Sequence, residues 1–108
     1  MIKHITEHQF EDYVLHSRKA LVIVDFWAPW CKPCQAMEPT WEAISRRFTS
    51  IIDIVKVNVD DENGLVQMGH IQSVPTIIYF KNGKPIKRES GAKDENHLIG
   101  VITDLLKG

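Results

Sequence analysis

Leu21-Val22-Ile23-Val24-Asp25-Phe26-Trp27-Ala28-Pro29-Trp30-Cys31-Lys32-Pro33-Cys34 is the stretch on which the fold turns. Its first half, Leu21 to Trp27, is almost continuously apolar and rich in β-branched residues. That pattern predicts a strand covered on both faces, with Asp25 as the one acid inside it. The second half holds Cys31 and Cys34, the chain's only 2 cysteines, at spacing i, i+3. Thiols one helical turn apart can close into a disulfide and reopen with little rearrangement. A helical pattern follows, which places Cys31 at a helix N-terminus. There the unpaired backbone N–H groups and the macrodipole favour an anion and lower a thiol's pKa. A low-pKa thiol beside a resolving thiol is the chemical requirement for thiol–disulfide exchange.

Reading outward, Thr6-Glu7-His8-Gln9 fits a capping box, and Phe10, Val14 and Leu15 follow at helical spacing, so a first helix is predicted there. Cys31 to Phe48 reads as helix, with Met37, Trp41, Ile44 and Phe48 along one stripe. Pro39 removes one of its hydrogen bonds and predicts a kink. Ile51 to Val59 is a second β-branched run, closed by Asp60-Asp61-Glu62-Asn63-Gly64, and a short helix around Leu65 to Met68 ends near Gly69. Thr76 to Lys81 and Pro85 to Ser90 flank Asn82-Gly83, a strong hairpin signal. Asp94 N-caps a last helix whose apolar positions are Leu98, Val101, Ile102, Leu105 and Leu106. Gly100 inside it costs about 1 kcal/mol relative to alanine. The order βαβαβαββα implies a three-layer α/β/α domain, parallel strands first and an antiparallel hairpin at one edge.

A chain of 108 residues is expected to form one domain, 1–108, with a single core. A formal charge of -1 and the absence of a basic tract argue against nucleic-acid binding. Met1-Ile2-Lys3-His4-Ile5-Thr6-Glu7 lacks the apolar core of a secretory signal, and no stretch approaches membrane-spanning length, so a cytoplasmic location is expected. In a reducing compartment two close cysteines point to catalysis or metal rather than to structure. A zinc site would need a second ligand pair, and His4, His8, His16, His70 and His97 show no ligand spacing around the thiols. Haem attachment needs histidine after the second cysteine, where Gln35 stands. A purely structural disulfide would close a very short loop and contribute little stability. Redox chemistry remains, with no metal site expected.

On Val24-Asp25-Phe26-Trp27-Ala28, Trp30-Cys31-Lys32-Pro33-Cys34, Pro39, Lys56-Val57-Asn58-Val59-Asp60, Val74-Pro75-Thr76, Phe80-Lys81-Asn82-Gly83 and Gly91, the chain resembles the thioredoxin family along nearly its whole length. A lone CxxC is a weak signal. Trp-Cys-x-Pro-Cys after an acidic apolar strand, with Val-Pro-Thr about forty residues on and a hairpin beyond, is very specific. The resemblance implies the thioredoxin fold, a five-stranded mixed sheet flanked by four helices. It also implies a protein-disulfide reductase without a bound cofactor, recharged by a thioredoxin reductase and acting on disulfide-containing client proteins. A monomer is expected.

Role by role, Cys31 is the expected nucleophile, its sulfur facing solvent, and Cys34, more shielded, resolves the mixed disulfide. Pro33 fixes φ at a first-turn position, and in the family proline here accompanies reductants. Lys32 departs from the family's usual glycine. An ammonium beside Cys31 favours the thiolate and so the dithiol form, which shifts the potential upward by about 5–20 mV. Asp25, desolvated in its strand, is expected to have a raised pKa. The resemblance places it behind Cys34 as a proton acceptor and matches Lys56 to its partner, while the residues alone leave Lys56 equally an edge lysine. The residues alone favour a trans bond before Pro75, whereas the resemblance implies a cis bond, with Pro75 against the disulfide and the Val74 backbone free to pair with an extended client. Trp30, Val74, Gly91 and Ala92 are candidates for the apolar collar around the thiols, with Pro29 at its edge. Trp27 is expected beneath the active-site loop and Trp41 in ordinary helix-face packing.

Gly69-His70 and Ser73 depart from the family, which has an aromatic residue then glycine at the first pair and glycine at the last. Either His70 takes a left-handed conformation or the helix ends early at Gly69. Both departures are expected near the docking surface. Two other functions compete with a general reductant: a narrower-client or more oxidising oxidoreductase, and a binding or assembly subunit with dispensable thiols.

Overall fold

Five strands, β1 (Ile2–His4), β2 (Leu21–Trp27), β3 (Ile52–Asn58), β4 (Thr76–Lys81) and β5 (Lys84–Ser90), build one sheet in the order β1-β3-β2-β4-β5. This is the arrangement in a computed structural model, which describes residues 2–108. β1, β3 and β2 run parallel, and β4 and β5 add in antiparallel fashion on the other side of β2. The β2 run that the sequence marks as apolar therefore lies at the centre of the sheet, and Leu21 to Phe26 are all buried. Asn82 and Gly83 join β4 to β5 with φ of 53° and 77°, the left-handed pair a tight hairpin requires. At Gly83 a side chain would also collide with the Leu15 carbonyl.

Alternation along the strands sorts two cores. Val22, Val24, Phe26, Val55, Val57, Ile78 and Phe80 face the N-terminal turns and α3 (Asn63–Met68), where Phe10, Val14 and Leu65 cover them. Leu21, Ile23, Ile52, Ile54, Ile77 and Tyr79 face α2 (Glu38–Arg47) and α4 (Glu95–Lys107), under Met37, Trp41, Ile44, Leu98 and Ile102. Asp25 and Lys56 continue this second alternation. The one acid of β2 and the one lysine of β3 are thus directed beneath α2.

The helix expected from Cys31 to Phe48 is broken into α1 (Lys32–Ala36) and α2 at Met37. Pro39 has no N–H for the Gln35 carbonyl, and the Met37 N–H instead closes a tighter turn onto the Cys34 carbonyl at 3.1 Å. The first helix is not a regular one. A 3-10 turn at Glu7–Gln9 runs into a wide turn at Glu11–Leu15, where the His16 N–H reaches back five residues to the Glu11 carbonyl at 2.9 Å. So short a segment has little helical cooperativity, and packing sets its geometry. Phe10 and Val14 are buried, but Leu15 is 37% exposed and falls outside the core.

α3 ends at Met68. Gly69 keeps φ at -85°, and His70 alone turns left-handed at φ 51°. Arg88 of β5 donates to the carbonyls of Gly69 and His70 and fastens this end to the sheet. Asp94 caps α4 as expected, accepting from the His97 N–H at 2.8 Å. Glu89 ties three elements together by accepting from the Tyr79 hydroxyl at 2.7 Å and lying 2.5 Å from His97 Nε2.

Candidate active site

Cys31 is the N-cap of α1, extended at φ -85° and ψ 107°, and its Sγ accepts a hydrogen bond from the Cys34 N–H at 3.2 Å. A sulfur anion at that position keeps this donor, and the same contact that caps the helix stabilises a thiolate. Pro33 sits in the first turn, where its missing N–H removes nothing. Cys31 and Cys34 are joined in a disulfide with Cα atoms 5.3 Å apart.

The disulfide is largely covered, with Cys31 4% exposed as a residue and Cys34 2%. Ala28 packs with the pair, and Trp27, Val59 and Val74 close around it. Val74–Pro75 is a cis bond. The Gly91 N–H donates to the Pro75 carbonyl at 2.9 Å, and Gly91 has φ of 87° with open space where a Cβ would stand. Conformation, rather than room, calls for glycine there. Ala92 follows it, exposed.

Trp30 is 66% exposed, and its indole N–H donates to the Asp60 carboxylate, with separations of 3.1 and 3.3 Å to the two oxygens. Between Trp30 and Val74 lies a groove of about 210 Å³, completed by Val59, Val66, Ile71, Gln72 and Ser73. The residue-by-residue reading did not single out Asp60, Val59, Val66, Ile71 or Gln72 for the site. One signal was available: β2 and β3 are parallel and pair Trp27 with Asn58, so the loops that follow both strands must emerge side by side. Of the two departures expected near the docking surface, only Ser73 lines this groove. His70 lines a separate cavity of about 510 Å³, with Phe26, Phe80, Met68 and Lys87 among its walls. Lys32 and Pro33 are both exposed, and among the described residues Lys32 makes no ion pair.

Asp25 and Lys56 are register partners across β2 and β3, and Lys56 Nζ lies 3.7 Å from Asp25 Oδ2. β3 is an interior strand, so Lys56 is no edge lysine. Asp25 is 1% exposed and Lys56 5%. Burial pushes the Asp25 carboxyl up to about 6, against the opposing pull of Lys56 and of the Trp41 indole. Lys56 also stands over the Trp27 ring, 4.9 Å from its centroid, and His4 meets the same ring edge-on. Trp27 thus lies under the active-site loop, as expected. Outside the disulfide, the one cluster of metal-ligating groups among the described residues is Glu11, Asp12 and His16, all exposed.

This arrangement can exchange electrons as thiol pairs. It offers a sulfur at a helix start, a second sulfur closing on it, and a buried carboxylate whose proton affinity is raised toward neutrality.

The Thioredoxin family model matches residues 1–104. A thioredoxin of Rickettsia bellii is 37% identical over 104 residues, covering 96% of this chain and 98% of that protein. A thioredoxin of Haemophilus influenzae is 34% identical over 101 residues, 94% of each chain. A chloroplastic M-type thioredoxin of Spinacia oleracea is 31% identical over 97% of this chain and 58% of its own length. A family match that runs from β1 into α4, identities of 34–37% over nearly the whole chain and the Cys31–Cys34 disulfide are more than a shared architecture, and on them the chain belongs to the thioredoxin family as a protein-disulfide oxidoreductase.

Proposed function

We propose that this oxidoreductase works mainly as a cytoplasmic reductant of client-protein disulfides. It does so as a monomeric single domain, 1–108, without a bound cofactor, and is recharged by a thioredoxin reductase. The observation that carries the reading is the Cys31 sulfur capping α1 beside Cys34, on the loop that follows the strand holding the buried Asp25. In the dithiol form the Cys31 thiolate attacks one sulfur of a client disulfide. A Cys31–client bond forms, the client bond breaks, and the other client sulfur leaves as a thiolate that takes up a proton. Asp25, ionised, then accepts the Cys34 proton, and the Cys34 thiolate attacks Cys31 Sγ. That step restores the intramolecular disulfide and releases the second client thiol. Two electrons pass to the client, and the reductase returns them.

Trp30, Pro33, Val74, Pro75, Gly91 and Ala92 frame the client's approach. An extended client strand pairs with the Val74 backbone, and its side chains enter the groove beside Trp30. Lys56 sets the charge around Asp25 and acts through it. Lys32 tunes the couple. Replacing it (Lys32→Gly) should lower the reduction potential by about 5–20 mV, read by equilibration with a glutathione couple. An unchanged or higher potential removes the tuning role.

The test is coupled turnover. NADPH, a flavin-dependent thioredoxin reductase and the protein should sustain insulin-disulfide reduction. If turnover appears only with a ferredoxin-linked reductase, the donor is reassigned. If the chemically reduced protein leaves insulin intact, the general-reductant reading fails. A narrower client range is favoured only by Lys32 and by Ser73 in the groove.

A further inference from the structure

Among the buried polar atoms with no direct hydrogen-bond partner are one carboxylate oxygen of the site, Asp25 Oδ1, and two indole donors, Trp41 Nε1 and Trp27 Nε1. Buried indole N–H groups nearly always find an acceptor, and each exception calls for an explanation. Here the donor and the acceptor explain each other. Trp41 is on α2, 1% exposed, in the core over the sheet face that carries Asp25. An indole N–H only donates, and an ionised carboxylate only accepts.

We propose that Trp41 is a positioning residue for Asp25, its indole N–H serving Oδ1 while Lys56 serves Oδ2, and that this donor holds Asp25 in the ionised form able to take the Cys34 proton. The inference deepens the proposed mechanism and rests on Asp25 as the base. It gives Trp41 a task beyond the ordinary helix-face packing its sequence position suggests. The N–H of Trp41 acts in the required direction, since it lowers the carboxyl's proton affinity against the effect of burial. Trp27, whose Nε1 is also unpartnered, is the obvious competitor. Its ring, however, is engaged by Lys56 above and His4 at its edge.

The charged and titratable surroundings are few. Lys56 comes from β3, His4 from β1, and Glu38 and Glu42 from α2. β4 presents Ile77 opposite Asp25, and α4 contributes Leu98 and Ile102 to the same core, all uncharged. Of these groups Lys56 and Trp41 are the ones that pull the Asp25 carboxyl down against burial.

The experiment replaces the donor and titrates the acceptor. Two variants are made: Trp41→Phe, and Trp41→3-benzothienylalanine, which keeps the bicyclic shape and exchanges N–H for sulfur. Carbon-13 NMR of the Asp25 carboxyl should place its midpoint about one pH unit higher in both, as expected for loss of a hydrogen bond to the charged form. Release of a trapped client mixed disulfide should then slow about fivefold at pH 6 and hardly at all at pH 8, since the base is mostly ionised there. Misfolding of Trp41→Phe leaves the isosteric variant to decide. An unmoved Asp25 midpoint in a folded isosteric variant overturns the proposal. A midpoint that moves while the pH profile of release does not would leave the contact standing and remove Asp25 as the base. Equal slowing at every pH would mean that Trp41 only packs.

Discussion

Cys31→Ser is expected to bring insulin-disulfide reduction down to the uncatalysed level, while Cys34→Ser still attacks clients and stays attached to them. The asymmetry follows from geometry. The Cys31 sulfur is the one that caps α1 and accepts the Cys34 N–H, so its thiolate has a backbone donor. Cys34 lies inside the first turn with no such donor, at 2% exposure. A serine at position 31 leaves no anion able to open a disulfide at neutral pH. A serine at position 34 leaves the first step intact and removes the sulfur that would displace the client. The measurement is insulin turnover for both variants, with a non-reducing gel for the Cys34→Ser adduct. Adducts on Cys31→Ser rather than on Cys34→Ser would reverse the two roles.

Asp25→Ala is expected to stabilise the fold at neutral pH and to slow release of the mixed disulfide. Burial raises the folded carboxyl from 3.8 to about 6. Between those values the folded protein holds a proton that the unfolded chain has lost. The associated stability is therefore full below the unfolded value and is lost as pH rises through about 6. An ionised Asp25 thus costs on the order of 3 kcal/mol at neutral pH. Removing it leaves Lys56 without its carboxylate, which offsets part of the gain, although the ammonium keeps its place over Trp27. A net gain of about 1–2 kcal/mol at pH 8 that vanishes by pH 4 should appear in urea unfolding of the oxidised protein. Loss of the base should slow Cys34 attack by about a hundredfold. Equal stability offsets at both pH values would rule out the titration of Asp25 as the cause, and unaltered release would rule out the base.

Most elements were legible because their signals are local. The β-branched run of β2, Asn82-Gly83 between β4 and β5, and Asp94 before α4 each act within a few residues, and each stands where the sequence places it. Pro39 announced a disturbance, and breaking the helix at Met37 is what a missing N–H does when a tighter turn is at hand. The first helix misled because Phe10, Val14 and Leu15 satisfy helical spacing over a segment too short to hold it. Packing against the sheet then chose a wider turn and left Leu15 at the rim.

The site divides along the same line. Cys31, Cys34 and the unusual acid of β2 stand out in the sequence because their chemistry is odd for their surroundings, and this oddness needs no partner to be seen. The burial of Cys31 against Val59 and Val74, the Trp30 indole on Asp60, the burial of Trp41 in the core over the face that carries Asp25 and the walls of the groove beside Trp30 could not be read that way. Each joins segments far apart in the chain, and each depends on the parallel register of β2 with β3 and on how α2 settles over that face. Spacing along a chain determines which thiols pair and which residues share a face. Only packing between distant elements determines which side chain on that face meets which, and hence how anionic each group is.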